Sequence, residues 1–394
     1  MKYKIEIVSY WALLLIGLYY CNSLIPNSYQ FSFQLYAAIL IGSMLLVSWS
    51  ELSFRPFEKG FIFWSGIFVL GSVMAFRSQF GIDDPVYMKL FNRAGEYSYL
   101  SYLQSSDIEK GFLSLDYLLY YITAGNYNIA QPTITFLSFM FWGFALRAQG
   151  KVNIPFMLII LWSHYYFFIL SAGIVRMFIV IPIVLYATQF IWKCNLKKYV
   201  LVILFASLFH ISALIMLLFV FFIIKHEWAF KRWWLFLVII AVLVAFVFLG
   251  VGKYLIPILG ERYSGYILLT GNFSILLGSF DTLPIVLVAL YFKKYFNNLD
   301  EESSRRYVVG IVLLILSIVF SVASTMLPIG RIIYYANLGI MIVFSSIFAK
   351  RSNNIIDYGA KCLLIIYALV YVMHTNFLNE DQNETLFPYT SLWS

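Results

Sequence analysis

The sequence predicts an all-α protein that crosses a membrane many times, and three observations predict it. Hydrophobic residues make up 62% of the 394-residue chain and charged residues only 12%, about half the charged share of a soluble domain. Apolar runs close to the ~20 residues that span a hydrocarbon core recur along the whole length. Phe, Tyr and Trp, 20% of the chain, gather near the ends of those runs, as interfacial belts require. At membrane depth the backbone must satisfy its own polar groups, so the runs read as helices.

The first run, 5–21, follows Met1-Lys-Tyr-Lys and has no small-x-small cleavage site behind it. It reads as a retained span rather than a removed signal. Spans follow at 33–49, 61–76, 130–146, 154–170, 172–192, 234–250, 276–292, 307–326, 330–349 and 356–375, about 11 in all. Lys2 and Lys4 place the N-terminus in the cytoplasm, and Arg55, Lys59, Arg147, Lys151, Lys193, Lys197 and Lys198 then also fall inside. The stretch 199–224 decides the rest. If it crosses once, Lys225, Lys231, Arg232, Lys293, Lys294, Arg305, Arg306, Lys350 and Arg351 lie outside. If it enters and returns, they are all cytoplasmic, and the acidic tail with Glu380, Asp381 and Glu384 lies outside. The charge pattern therefore predicts a hairpin of two short helices with its tip near Phe209–Ala213. The alternative is one tilted helix.

This arrangement is a single transmembrane domain, 1–394, with large outside loops at 77–129 and 251–275. The first loop holds two amphipathic stretches, Pro85–Leu103 and Phe112–Ile122, read as short helices on the membrane surface. A structured loop of this length is more often functional than a linker.

Several chemistries are excluded. Four histidines and three isolated cysteines show no zinc spacing, and no disulfide, metal or cofactor is expected. There is no phosphate-cradling glycine loop and no nucleophile elbow. The net charge of +8 follows from positive-inside loops, and no nucleic-acid partner is expected.

What remains gathers at the outer face. Arg176 is the single formal charge between Lys151 and Lys193. At a helix centre it would cost roughly 2.5–3.5 kcal/mol, and arginine does not escape by losing its proton. It either snorkels to headgroups or faces a polar cavity. Arg77 and the pair Asp83-Asp84 stand at the start of the first loop. Asp84 suits a cap for a helix starting at Pro85, which leaves Asp83 as the more functional of the two. His210 sits at the expected hairpin tip, Arg262 in the second outside loop, and Arg331 after a tight turn. His164 reads as interfacial, Lys361 as snorkelling inward, and Glu109 and Asp116 as residues whose bland reading is a solvated helix face. Arginines near acidic residues at an outer membrane surface suit a phosphorylated, lipid-linked substrate, because the guanidinium matches phosphate oxygens in a planar fork.

Three blocks resemble the EpsG-like and Wzy-type polysaccharide polymerases. The first is Phe76-Arg-Ser-Gln-Phe-Gly-Ile-Asp-Asp-Pro-Val-Tyr87, with Ile108-Glu-Lys-Gly-Phe-Leu-Ser-Leu115 downstream. The second is Ser171-Ala-Gly-Ile-Val-Arg-Met177 followed by Leu204-Phe-Ala-Ser-Leu-Phe-His-Ile-Ser-Ala-Leu-Ile215. The third is Gly330-Arg-Ile-Ile-Tyr-Tyr335. The family's usual Gln after the second-block arginine is Met177 here, and the glutamate stretch lacks the family's proline.

The resemblance implies a metal-independent, GT-C-like membrane glycosyltransferase in the bacterial inner membrane. It would join undecaprenyl-pyrophosphate-linked repeat units of O-antigen or a similar surface polysaccharide at the periplasmic face, with a chain-length regulator as a further partner. In that scheme Arg176, Asp83 and His210 serve catalysis. Arg77, Arg176, Arg262, Arg331, Tyr87 and Glu109 bind pyrophosphate or glycan. An O-antigen ligase rests on the same arginine logic. A flippase is the non-enzymatic rival, and a membrane O-acyltransferase has only a histidine such as His210 in its favour.

Overall fold

The structure is a computed structural model that describes residues 2–77, 83–164, 166–167, 173–246, 281–297, 299–324, 330–377 and 389. Long helices α1 (Lys2–Leu24), α2 (Asn27–Leu52) and α3 (Pro56–Ala75) open the chain. Three short helices follow, α4 (Asp84–Arg93), α5 (Tyr99–Gln104) and α6 (Lys110–Ile122), and then α7 (Tyr127–Ala148) and α8 (Ile154–Ser163). The side chains of Asn126 and Asn153 cap α7 and α8 by accepting from the amides of Asn128 and Phe156. Next come α9 (Val175–Trp192) and α10 (Leu196–Ser207), and a 3-10 helix, Ile211–Phe219, that runs into α11 (Val220–Ile224). Helices α12 (His226–Lys231), α13 (Trp233–Phe246), α14 (Leu283–Phe296) and α15 (Glu301–Ser324) precede a 3-10 turn at Gly330–Ile332. The chain continues with α16 (Ile333–Ala336), α17 (Leu338–Phe348) and α18 (Ile355–Val372).

Among the described residues no strand element occurs, and 7 helices are long and apolar enough to cross a membrane. They coincide with the expected spans 5–21, 33–49, 61–76, 130–146, 172–192, 307–326 and 356–375. The expected spans 154–170, 234–250 and 330–349 correspond to shorter apolar helices, and 276–292 to α14. The loop 251–275, with Arg262, lies outside the described residues.

Two compact units form. The first comprises Met1–Tyr186, Leu204–Ile211 and Phe348–Ser394. In it α2 packs along α3 and on α8, α3 packs against α7, and α1 packs against α18. Rings fill these seams: Phe156 stacks on Phe348 at 4.1 Å and Phe33 meets Trp162 edge-on. The second unit comprises Ala187–Ile203 and Ser212–Ile347. Its centre is α15, against α14 and α13, with Phe296 stacked on Tyr307 at 3.7 Å. Gly339 brings α17 so close to α15 that a Cβ there would stand 2.4 Å from the Leu314 amide nitrogen.

The stretch 199–224 breaks as its charge context predicts. Helix α10 ends at Ser207, and a turn through Leu208-Phe209-His210 precedes the 3-10 helix. The Tyr199 hydroxyl donates to the Met216 carbonyl. Seventeen residues of unbroken helix would hold those positions ~25 Å apart, so the chain doubles back.

Two readings are corrected inside the first unit. Lys361 does not snorkel: it is 0% exposed, and its Nζ donates to Glu6 Oε1 at 2.9 Å and to the Lys350 carbonyl. Glu6 also accepts from the Tyr10 hydroxyl at 2.8 Å and the Ser352 amide at 3.2 Å. Breaking such a buried pair from one side costs about 3–5 kcal/mol. His164 is likewise buried rather than interfacial. It stacks on Tyr371 at 4.1 Å, with Nδ1 3.0 Å from Ser163 Oγ.

Candidate functional site

The first large loop folds as the amphipathic pattern predicts, with the stretch 85–103 divided by a turn into α4 and α5. Helices α4, α5 and α7 all pack on α6, whose buried face is Phe112, Leu113, Asp116 and Leu119. Asp116 is therefore not a solvated residue; it is 3% exposed. It lies 2.7 Å from the Tyr102 hydroxyl, which is also 3.1 Å from the Leu90 carbonyl. One hydroxyl proton cannot serve both acceptors. A protonated Asp116 resolves this by donating to Tyr102, which then donates to Leu90.

Burial pushes the Asp116 carboxyl up to about 7, against the opposing pull of the Tyr102 bond. An unfolded Asp titrates near ~3.9. The folded state thus holds the extra proton between these values. This contribution to stability is fully present below about pH 4 and is lost as pH rises through about 7. Asp116→Asn keeps the donor and removes the titration. Its melting temperature in detergent is expected to exceed the wild type's by more at pH 8 than at pH 5. A wild-type protein that grows more stable from pH 5 to 8 relative to the variant would contradict this.

Glu109 occupies the N-cap position of α6. Its Oε2 pairs with Nη1 of Arg176, the second residue of α9. Its Oε1 accepts the Ile211 amide at 3.1 Å. Burial alone would raise this carboxyl's pKa, but the Arg176 guanidinium, the Ile211 amide and the nearby His210 outweigh it and hold it below the usual carboxylate range. The solvated-face reading of Glu109 is thus also overturned. Arg176 Nε reaches the Tyr87 hydroxyl at 3.4 Å, and Tyr87 packs on Phe112 with ring centroids 5.5 Å apart. Arg176, Tyr87 and His210 are each under 8% exposed. A cation in the first turn of a helix opposes the macrodipole, and Glu109 compensates it.

A backbone bond holds this cluster. The Gly111 amide donates to the Leu208 carbonyl at 2.8 Å. A Cβ at Gly111 would lie 2.6 Å from that oxygen. Only glycine lets α6 approach the turn before Ile211 this closely.

The remaining residues fall as follows. Asp83 is the half-buried N-cap residue of α4, one turn before Tyr87, whose amide donates to the Asp83 carbonyl. Asp84 does not cap; its Oδ1 accepts the Tyr127 hydroxyl at 2.6 Å. Burial raises the Asp84 pKa, partly offset by that bond. Arg77 is buried, with the phenols of Tyr36 and Tyr389 as electrostatic neighbours. In the second unit Arg331 is exposed in its 3-10 turn. There Ser212 Oγ lies 2.9 Å from the Tyr335 hydroxyl.

Residues 109 and 176 are 67 apart and 87 and 176 are 89 apart, so spacing does not announce these pairings. Gly111 also carried no signal by itself. Asp116 did: it sits at i+4 of the apolar face begun by Phe112.

Chemically, the cluster is an arginine held in one orientation by a carboxylate, with a histidine beside it. The guanidinium has five N–H donors, and Tyr87 and Glu109 engage two of its nitrogens. Such an arginine at a helix N-terminus is suited to an anion. The fold is that of a multi-pass helical membrane protein.

The family model described as EpsG family matches residues 60–391, and the chain belongs to that family. This membership points to a polysaccharide-polymerase type of membrane protein. No curated protein and no solved structure matches the chain.

Proposed function

We propose that the protein polymerises undecaprenyl-pyrophosphate-linked oligosaccharide repeat units of O-antigen or a similar surface polysaccharide. The transfer takes place at the periplasmic face of the bacterial inner membrane, on a GT-C-like scaffold. The observation that carries this reading is the cluster of Arg176, Glu109, Tyr87 and His210, which draws together the family-like segments at 76–87, 108–115, 171–177 and 204–215.

In the transfer, a hydroxyl oxygen of the incoming unit bonds to the anomeric carbon of the growing chain. The bond from that carbon to pyrophosphate breaks, and undecaprenyl pyrophosphate departs with the electron pair. Preorganised cations stabilise the charge that develops on it. Arg176 supplies this directly; Arg331, with Arg77 or Arg262 assisting, is assigned the same role from the sequence alone. No metal is required for that role. The acceptor proton passes to His210, whose imidazolium the adjacent Glu109 carboxylate stabilises, much as a triad carboxylate does. Asp83 is the alternative base. Pyrophosphate leaves as an anion, so no dedicated acid is needed.

The test is reconstitution. Purified protein in liposomes, given lipid-linked repeat units, is expected to yield a ladder of longer glycans and one undecaprenyl pyrophosphate per bond formed. Absence of a ladder, with the glycan instead appearing on added lipid A-core, would mark a ligase. Movement of intact units across the bilayer without bond formation would mark a flippase.

A further inference from the structure

One side of α6 carries Lys110, Ser114, Tyr117 and Tyr121, at i, i+4, i+7 and i+11, a single stripe along the helix. Tyr99 of α5 joins it: its hydroxyl lies 2.9 Å from Ser114 Oγ and its ring 5.2 Å from that of Tyr117. The Tyr117 and Tyr121 rings are 4.8 Å apart and their hydroxyls 3.3 Å apart. Lys110 Nζ donates to the carbonyls of Leu103 and Ser106 and so fixes the end of α5 beside α6. Tyr99 is 43% and Tyr121 56% exposed. The result is a row of aromatic rings edged with hydroxyls.

We propose that this row is a carbohydrate-binding subsite that holds the glycan of the lipid-linked unit; the proposal rests on the glycan-transfer reading above. Sugars offer apolar C–H faces and hydroxyl edges, and a tyrosine offers a ring and a hydroxyl to match both. Location supports this occupant. Glu109, the partner of Arg176, immediately precedes α6, and Tyr121 lies ~18 Å further along the helix at 1.5 Å per residue. A glycan anchored by its pyrophosphate near Arg176 would lie along that length. A lipid surface accounts for the stripe less well, because α6 carries a separate apolar face for it. Leu118 and Ile122, 55% and 68% exposed, lie about 100° around the helix from the tyrosines.

The test uses full-length protein in nanodiscs. The probe is the lipid-free, phosphate-free repeat oligosaccharide released by mild acid from the producing strain's own polysaccharide. The double variant Tyr117→Leu/Tyr121→Leu is expected to weaken binding about tenfold. Tyr117→Phe/Tyr121→Phe, which keeps the rings, should lose only a fraction of that, and Gly60→Ala, where a Cβ meets nothing within 4 Å, should bind the probe as wild type does. Equal binding by the leucine variant and the wild type overturns the subsite and marks the stripe as a lipid or self-association face. A wild type that binds no probe while polymer still depends on Arg176 also overturns it, and leaves the polymerase reading standing. If the leucine variant loses binding but polymer is indifferent to deletion of the whole protein, the subsite stands and the polymerase reading falls.

Discussion

Cells carrying Arg176→Ala are expected to make no long-chain polymer while keeping normal amounts of the protein in the membrane. The guanidinium is the cation that the structure holds ready, paired with Glu109 Oε2 and with Tyr87 within 3.4 Å. Loss of one preorganised donor to a developing oxyanion costs about 10²–10³ in rate. On a polysaccharide gel the ladder should collapse to the species bearing a single unit. Removing the arginine also leaves Glu109 without its cation, so Arg176→Ala/Glu109→Gln is the folding control: it should express as well as wild type and remain inactive. Arg176→Lys keeps the charge and loses the planar fork, and only partial recovery is expected. A full ladder from Arg176→Ala would remove this residue from the chemistry.

Gly111→Ala is expected to cost about 100-fold in activity with only a modest loss of thermal stability. The new methyl carbon would stand 2.6 Å from the Leu208 carbonyl oxygen. That contact is with backbone, and it does not yield by a side-chain rotation. The 2.8 Å bond from the Gly111 amide to Leu208 would open, and the start of α6 would shift. Glu109 would move with it, away from the Ile211 amide and Arg176. A misplacement of about 1 Å in a catalytic group can cost about 10²-fold. Gly60→Ala is the matched control, because a Cβ there meets nothing within 4 Å. Equal activity in the two variants would show that the bond between Gly111 and Leu208 does not position the site.

The hairpin shows how much of the fold the sequence made legible. Distribution of basic residues around 199–224 predicted a break near Phe209–Ala213, and the helix breaks at Leu208-Phe209-His210. The expected span 172–192 put Arg176 near the start of its helix, and it is the second residue of α9. The short helices of the first loop were visible as an amphipathic pattern. All of these follow from local rules of charge, hydropathy and period.

Glu109 and Lys361 show where that legibility stopped. The general behaviour of charged side chains in a membrane protein suggested a solvated face as the bland reading of Glu109 and a headgroup interface for Lys361. Each is instead paired with a residue distant in sequence, Glu109 with Arg176 and Lys361 with Glu6. Nothing in a run of apolar residues says which other run will face it.

From the sequence alone came the membrane setting, the helical content, the position of the break and the identity of the lone arginine, because each depends on the chain's transfer between water and hydrocarbon or on neighbours within a few turns. The tertiary structure decided the partners: Glu109 and Tyr87 for Arg176, Glu6 for Lys361, Tyr102 for Asp116 and Leu208 for Gly111. Those pairings depend on how separate helices pack, and a buried charge is held by whichever opposite group the packing brings within reach.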